Sequence, residues 1–258
     1  SYQALWCWNE EFLIMDQARY GNSMGILFYS TIFVINSTIQ YMKVHQDVLI
    51  RIEDFFAHSQ MLAYAKGQGV LRPEDAPYGV YYLKKGYIRQ YLLSPSGDTF
   101  VVHIYKSGSF FPLPWILNDS PNLYHFEAMT AVTIAREKKE LFVEFLKTTP
   151  AVSFYAAQKL AAGMCGFVSR VGQLVLDDAH TKTVLLLLYF AETFGEKTHD
   201  GVVLTVPLAH REIASWIGTT RETASLQMEG LKKKGLVKTK GRQIILPDFK
   251  KLRSIIAP

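Results

Sequence analysis

An α+β chain is what the sequence predicts, and three observations predict it. From about residue 70 to 136, short runs rich in Tyr, Val, Ile and Phe alternate with turn residues at roughly ten-residue spacing, the pattern of a sandwich or barrel. From Pro150 to Leu176, Ser153, Ala157, Leu160, Met164, Phe167, Val171 and Leu174 recur at spacings of four and three, a heptad seam on one long helix. From Ala209 onward, two short helical patterns flank Gly218, and a small β-prone pair follows with cations at its tip.

The strands justify themselves individually. Val80–Leu83 ends at Lys85-Gly86, Tyr87–Leu93 at Ser94-Pro95-Ser96-Gly97-Asp98, and Thr99–Tyr105 at Lys106-Ser107-Gly108-Ser109. Each break contains the residues that tight turns use. The long helix also carries a second stripe, Ala161, Cys165, Val168 and Val175, which predicts packing on the chain's own β-domain beside a seam for a partner helix. One broad core-facing surface is the alternative. Asp177-Asp178 interrupts the seam, Asp178 is placed to cap a new apolar helix over Thr181–Phe194, and Gly195–Gly201 reads as a polar link.

The last fifth of the chain concentrates the positive charge. Residues 205–258 hold 11 Lys and Arg against four Asp and Glu, an excess of +7 where the whole chain has +5. Thr220 stands where a helix cap belongs, with Arg221, Glu222 and Thr223 in the exposed first turn and Ala224, Met228 and Leu231 as the inward stripe. Arg221, Glu222 and Ser225 share one face; Arg bonds guanine O6 and N7 together, and Glu accepts from cytosine N4. Leu226 follows them and offers at best a methyl contact, while His210 and Thr220 are candidates for phosphate and Thr223 is a further candidate for DNA contact. Lys240 and Arg242 flank Gly241 at the tip of the wing. A basic helix-turn-helix with such a wing is the electrostatic footprint of duplex binding. The blander alternative is an ordinary helical pair whose charges face solvent.

Composition excludes several classes. At 258 residues, with 49% hydrophobic and 20% charged side chains, the chain is an ordinary folded protein of one or two domains. Its two cysteines, Cys7 and Cys165, make neither a disulfide framework nor a four-thiolate cluster, and suit a reducing cytoplasm. No HxH or HxxxH spacing, P-loop, dinucleotide fingerprint or hydrolase motif appears, so neither a metal nor a catalytic residue is assigned.

Residues 1–41 fit poorly with the rest. Gly25–Ile35 is an apolar run of 11, short of the roughly 20 residues that span a bilayer. No Lys or Arg occurs in the first 18 residues, and a secretory signal would want early positive charge. Met42 followed by an amphipathic pattern reads as a natural start. Three readings stay open: a leader of doubtful, non-native origin, a membrane-proximal helix, and an extra docking element.

Glu212-Ile213-Ala214, Gly218, the Arg221-Glu222-Thr223 triplet and the glycine of the wing fall at a family spacing: the chain resembles the Crp/Fnr family of bacterial transcription regulators over about residues 45–250. The resemblance implies an N-terminal double-stranded β-helix (jelly-roll) sensor over 42–149, a dimerisation helix over 150–177 and a C-terminal winged helix-turn-helix over 178–258. It implies a homodimer joined through Leu160, Met164, Phe167, Val171 and Leu174, with double-stranded DNA, RNA polymerase and a small-molecule effector as partners. The sensor departs from the cyclic-nucleotide pattern, because Pro112-Leu113-Pro114-Trp115 and Tyr124-His125-Phe126-Glu127-Ala128 stand where the Glu and Arg anchors belong. The clustered cysteines of iron–sulfur members are missing too. Neither cyclic nucleotide nor cluster is therefore expected, and the effector stays open. Arg89, Tyr91, His103, Trp115, Tyr124 and His125 are the candidate pocket lining, unless the aromatics only fill the barrel. Two rival readings remain: a cupin-like metal-binding enzyme, which would need several His or carboxylate ligands on neighbouring strands where only His103 and His125 are at hand, and a regulator tethered to a membrane by residues 24–42.

Overall fold

In the computed structural model, residues 46–241 and 243–256 are described. The leader over 1–41, the start at Met42, the Gly25–Ile35 run and Arg242 lie outside the described residues. No helix among the described residues is long and apolar enough to cross a membrane.

The chain forms two compact units, one reaching to Gln60 and resuming over Glu137–Ser169, the other made of Met61–Arg136 and Arg170–Pro258. The first is helical. Residues 46–55 form α1, which buries Val48 and Ile52 on one face, and Phe56 continues that fourfold spacing in the turn that follows. Lys139–Thr148 forms α3 and buries Phe142 and Leu146. Phe55 stacks on Phe145 at 4.4 Å and meets Phe142 edge-on at 5.7 Å. Ser59 donates to the Glu137 carboxylate at 2.9 Å.

In the second unit, two four-stranded sheets share one apolar interior. One has the order β1 (Gln60–Tyr64), β8 (Val132–Glu137), β3 (Val80–Lys85), β6 (Phe110–Phe111). The other has β2 (Gly69–Leu71), β7 (His125–Ala128), β4 (Ile88–Leu93), β5 (Thr99–Tyr105), so β5 is an edge strand. A short helix, α2 (Leu113–Asn118), lies between β6 and β7. Leu71, Tyr81, Leu83, Ile88, Phe111, Phe126 and Ile134 fill the interior, and Phe111 stacks on Phe126 at 5.0 Å. Alternation puts Ile88 and Gln90 inside and Arg89 outside, because successive strand side chains face opposite ways. A bulge between Gln90 and Tyr91 resets the register against β5.

The long helix α4 spans Pro150–Leu176, as the heptad pattern predicts. Its seam stays open to solvent: Leu160 is 41%, Met164 70%, Phe167 51% and Val171 43% exposed. The second stripe is a correction, since Ala161, Cys165, Val168 and Val175 are exposed rather than packed. The helix is exposed on every side from Ala157 to Val168, so no face of this stretch is buried against the chain's own described residues.

Beyond it, Asp178 caps α5 (Ala179–Phe194) by accepting from Thr181 N at 2.7 Å, and that bond holds its carboxyl below the usual range. Phe190 and Leu186–Leu188 are buried in the centre of the C-terminal part. The stretch expected as a polar link is instead a strand, β9 (Gly195–Thr198), paired along its length with β10 (Gly201–Leu204). It reads polar because it is the outer strand of the sheet β11 (Lys238–Lys240), β12 (Gln243–Leu246), β10, β9, where polar side chains guard an unpaired edge. A last helix, α8 (Phe249–Ser254), closes the described chain.

Candidate nucleic-acid interface

Two helices and a hairpin build the site. The first, α6 (His210–Ile217), is capped by Ala209, which has no side-chain acceptor; the Glu212 carboxylate compensates by accepting from Ala209 N at 2.7 Å. Gly218 takes the left-handed conformation, φ 64, that turns the chain. Thr220 then caps α7 (Arg221–Lys233), accepting from Thr223 N at 3.2 Å with its hydroxyl 3.0 Å from that of Thr223. Ala224, Met228 and Leu231 point inward as the pattern predicts. What remains outward is one face carrying Arg221, Glu222, Ser225 and Leu226, the last 66% exposed.

The site residues divide by role. The His210 ring nitrogen Nδ1 lies 3.1 Å from Ser225 Oγ, so the candidate phosphate contact is also tied to a candidate base contact. Thr223 spends its hydroxyl on the cap, whereas Arg221 and Glu222 are exposed. The wing forms where expected, with Lys240 opposite Gln243 and Gly241 at φ 61. His210, Arg211, Arg221, Lys232, Thr239 and Gly241 line one concave surface between the helices and the wing. Arg221 sits in the first turn of α7, where the helix dipole disfavours a cation by a few tenths of a kcal/mol. Local rules are broken in this way where another partner is expected.

The candidate effector lining does not assemble as one pocket. Arg89, Tyr91 and His125 fall on the outer face of the sheet, where Arg89 Nη2 donates to Glu127 at 2.9 and 3.1 Å. The Tyr91 hydroxyl reaches Glu127 at 3.3 Å, and its ring stacks on His125 at 5.0 Å. His103 faces the other way, edge-on to Tyr105 at 4.6 Å, and Tyr105 donates to Gln90 at 2.9 Å. Tyr124 packs against the interior, and Trp115 lies on α2. The period of two and the bulge divide the set, and spacing in sequence shows neither. Tyr81, Tyr105, Phe111 and Phe126 occupy the interior that the lining was expected to enclose.

Three residues to which sequence reasoning gave no such role connect the two halves of this unit: Arg170, Glu212 and Ser215. Arg170 carried a signal, because it is the sole charged residue between Leu160 and Leu176. Burial first, and Arg170 second, lower the His103 pKa to about 4.

Known proteins with related chains are consistent with these parts. Residues 61–149 match the cyclic nucleotide-binding domain model, and residues 182–255 match the Crp-like helix-turn-helix domain model. The global nitrogen regulator of Nostoc sp. is 25% identical over 70% of this chain and 82% of its own. The probable transcriptional regulator flp of Lacticaseibacillus casei is 26% identical over 69% and 79%. Among solved structures, a CooA variant from Carboxydothermus hydrogenoformans superposes with a TM-score of 0.67 at 25% identity, covering 78% of this chain and 89% of its own. The c-di-GMP responsive regulator CLP of Xanthomonas campestris has the same fold, with a TM-score of 0.66 at 22% identity over 77% and 98%.

His103 makes a pH prediction. Its folded pKa of about 4 lies below the unfolded value of about 6.5, so the unfolded chain binds more protons between those values. Stability contributed here is complete above about pH 6.5 and falls as the pH drops towards 4, by up to roughly 3 kcal/mol. Urea unfolding at stepped pH should show His103→Gln losing less stability than the wild type over that window. Parallel losses would refute the assignment.

Proposed function

We propose, since the chain belongs to the Crp/Fnr family of bacterial transcription regulators, that it acts as a cytoplasmic, homodimeric DNA-binding regulator without enzymatic activity. The observation that carries the reading is the outward face of α7: Arg221 and Glu222 exposed beside Ser225 and Leu226, next to a basic wing. Arg221 and Glu222 read base edges and Ser225 assists, while His210, Thr220 and the wing cations Lys240 and Arg242 hold phosphate; Thr223 supports the cap of the reading helix. RNA polymerase is the further partner that such a regulator addresses.

The dimer runs through the seam of α4. Four large apolar side chains exposed at heptad spacing are what a two-stranded coiled coil buries. Two recognition helices must then stand about 34 Å apart to enter successive major grooves. A cupin-like enzyme is not favoured, since the relatives are transcription regulators and no three His, Cys, Asp or Glu converge among the described residues. The effector is a small molecule other than a cyclic nucleotide, because Leu113 and Tyr124–His125 stand where the anchors belong and Arg89 is turned outward and paired. Submicromolar binding of cyclic AMP or cyclic GMP in a calorimeter would contradict this.

Selection of binding sites from randomised duplexes separates reading from gripping. Glu222→Ala should relax the preference at one position per half-site at a cost of about 1–3 kcal/mol. Lys240→Ala should weaken binding to every sequence and flatten its salt dependence. A selected motif unchanged by Glu222→Ala would remove that residue from base reading.

Leu160→Glu combined with Phe167→Glu should give monomers, since carboxylates in an apolar seam cost several kcal/mol to desolvate. Sedimentation is the measurement, and an intact dimer of the double variant would move the interface elsewhere.

A further inference from the structure

The helix α6 is held at three points against the outer face and free edge of the sheet that ends in β5. At its first turn, Glu212 lies 3.8 Å from Arg89 on β4. In its middle, Ser215 is buried, and its hydroxyl donates to Thr99 O at 2.5 Å and accepts from Val101 N at 3.2 Å. At its last turn, Arg170 Nη2 donates to Trp216 O at 2.7 Å while Nη1 donates to Val102 O at 3.0 Å. Because β5 is an edge strand, these main-chain groups have no further strand to pair with, and two side chains take its place.

Arg170 is the unusual member. It comes from α4, one residue before the seam residue Val171, and is only 8% exposed. Its guanidinium lies between two rings, 4.5 Å from the centre of Phe100 and 4.2 Å from that of Trp216. Burial lowers its pKa to about 10, so it remains charged at neutral pH. One cation on the long helix thus bonds a carbonyl of the sensor sheet and a carbonyl of the winged helix together.

We propose that Arg170 and Ser215 are positioning residues for DNA recognition: by occupying the free edge of β5 they lock α6 to the sensor sheet and fix the angle at which α7 is presented. The inference rests on the dimeric DNA-binding reading above. A shift of α4 along its seam moves Arg170, and the orientation of the winged helix follows through the two carbonyls it holds. Arg221 and Glu222 stay outward throughout, so the tie governs the geometry between two readers and not the chemistry of either.

The test uses the full chain and a palindromic duplex selected from random sequence by the wild type. Companion duplexes have the spacer between half-sites lengthened or shortened by one base pair, and a further one carries a single half-site. Each base pair rotates and displaces one half-site relative to the other, so the wild type should lose about tenfold in affinity at the altered spacings. Arg170→Gln with Ser215→Ala should lose less than about threefold there, with single half-site affinity unchanged, because a loosened reader follows either spacing. Arg170→Lys should fall between, since an ammonium lacks the planar fork that reaches two carbonyls. A folded double variant with the wild-type spacing preference overturns the proposal. If the double variant does not fold, Ser215→Ala alone should relax the preference partly, and an unchanged preference in that variant overturns it equally. A wild type that selects no duplex would instead sink the DNA-binding reading on which the inference stands.

Discussion

One apolar core joins the outer face of the sensor sheet to the winged helix, and the rest of the C-terminal unit depends on it. Val101, Ile104 and Met129 from the sheet region pack in a single cluster with Leu187, Phe190, Ile213, Trp216 and Met228. Helix α6 is therefore covered both by the helices of its own domain and by the sheet. That arrangement buries the free edge of β5, and buried main-chain groups must find partners. The Ser215 hydroxyl and the Arg170 guanidinium supply them. Apolar burial, which is non-directional, brings the surfaces together, and the polar ties select one orientation among those it would allow.

The same packing decides which faces remain free. A helix of 3.6 residues per turn that buries Ala224, Met228 and Leu231 turns Glu222 and Leu226 away from the core and puts Ser225 at its side. Arg221, above Met228, is exposed because it stands in the first turn. Glu212 is occupied twice, closing the start of α6 on Ala209 N and facing Arg89 at 3.8 Å. His210 is tied to Ser225, which leaves Arg221 and Glu222 as the exposed polar groups of the first turn of α7. Which side chains on this face are tied and which stay exposed thus follows from hydrogen-bonding demand and not from residue type alone.

What was legible in the sequence was local. Gly218 and Thr220 mark a turn and a cap through their own backbone and hydroxyl chemistry, and the heptad of α4 is a pattern within one helix. The strand β9 was hidden because an outer strand looks like a loop when Glu196, Lys197 and Thr198 all face solvent. The candidate effector lining comes from several elements, and the sequence does not show which face of the sheet each one occupies: Arg89 and Gln90 are neighbours on opposite sides of one sheet. Ser215 was invisible for the opposite reason. On a helix flanked by Ile213 and Trp216 it reads as a small core residue, and only the approach of β5 gives its hydroxyl two partners.

Arg170 shows how far a single exception to a pattern carries. An apolar helix segment from Leu160 to Leu176 with one cation is a conflict, since burying an unpaired charge is expensive. The structure resolves most of it with two carbonyl bonds and two aromatic faces, each favourable to a guanidinium. The resolution is incomplete: Nε is buried and finds no partner among the described residues. An apolar residue would avoid that unsatisfied donor but would leave Val102 O and Trp216 O without this one. The constraint thus lies on the carbonyls as much as on the cation. It holds only while α4, β5 and α6 keep their mutual positions, which makes the buried charge a measure of that alignment.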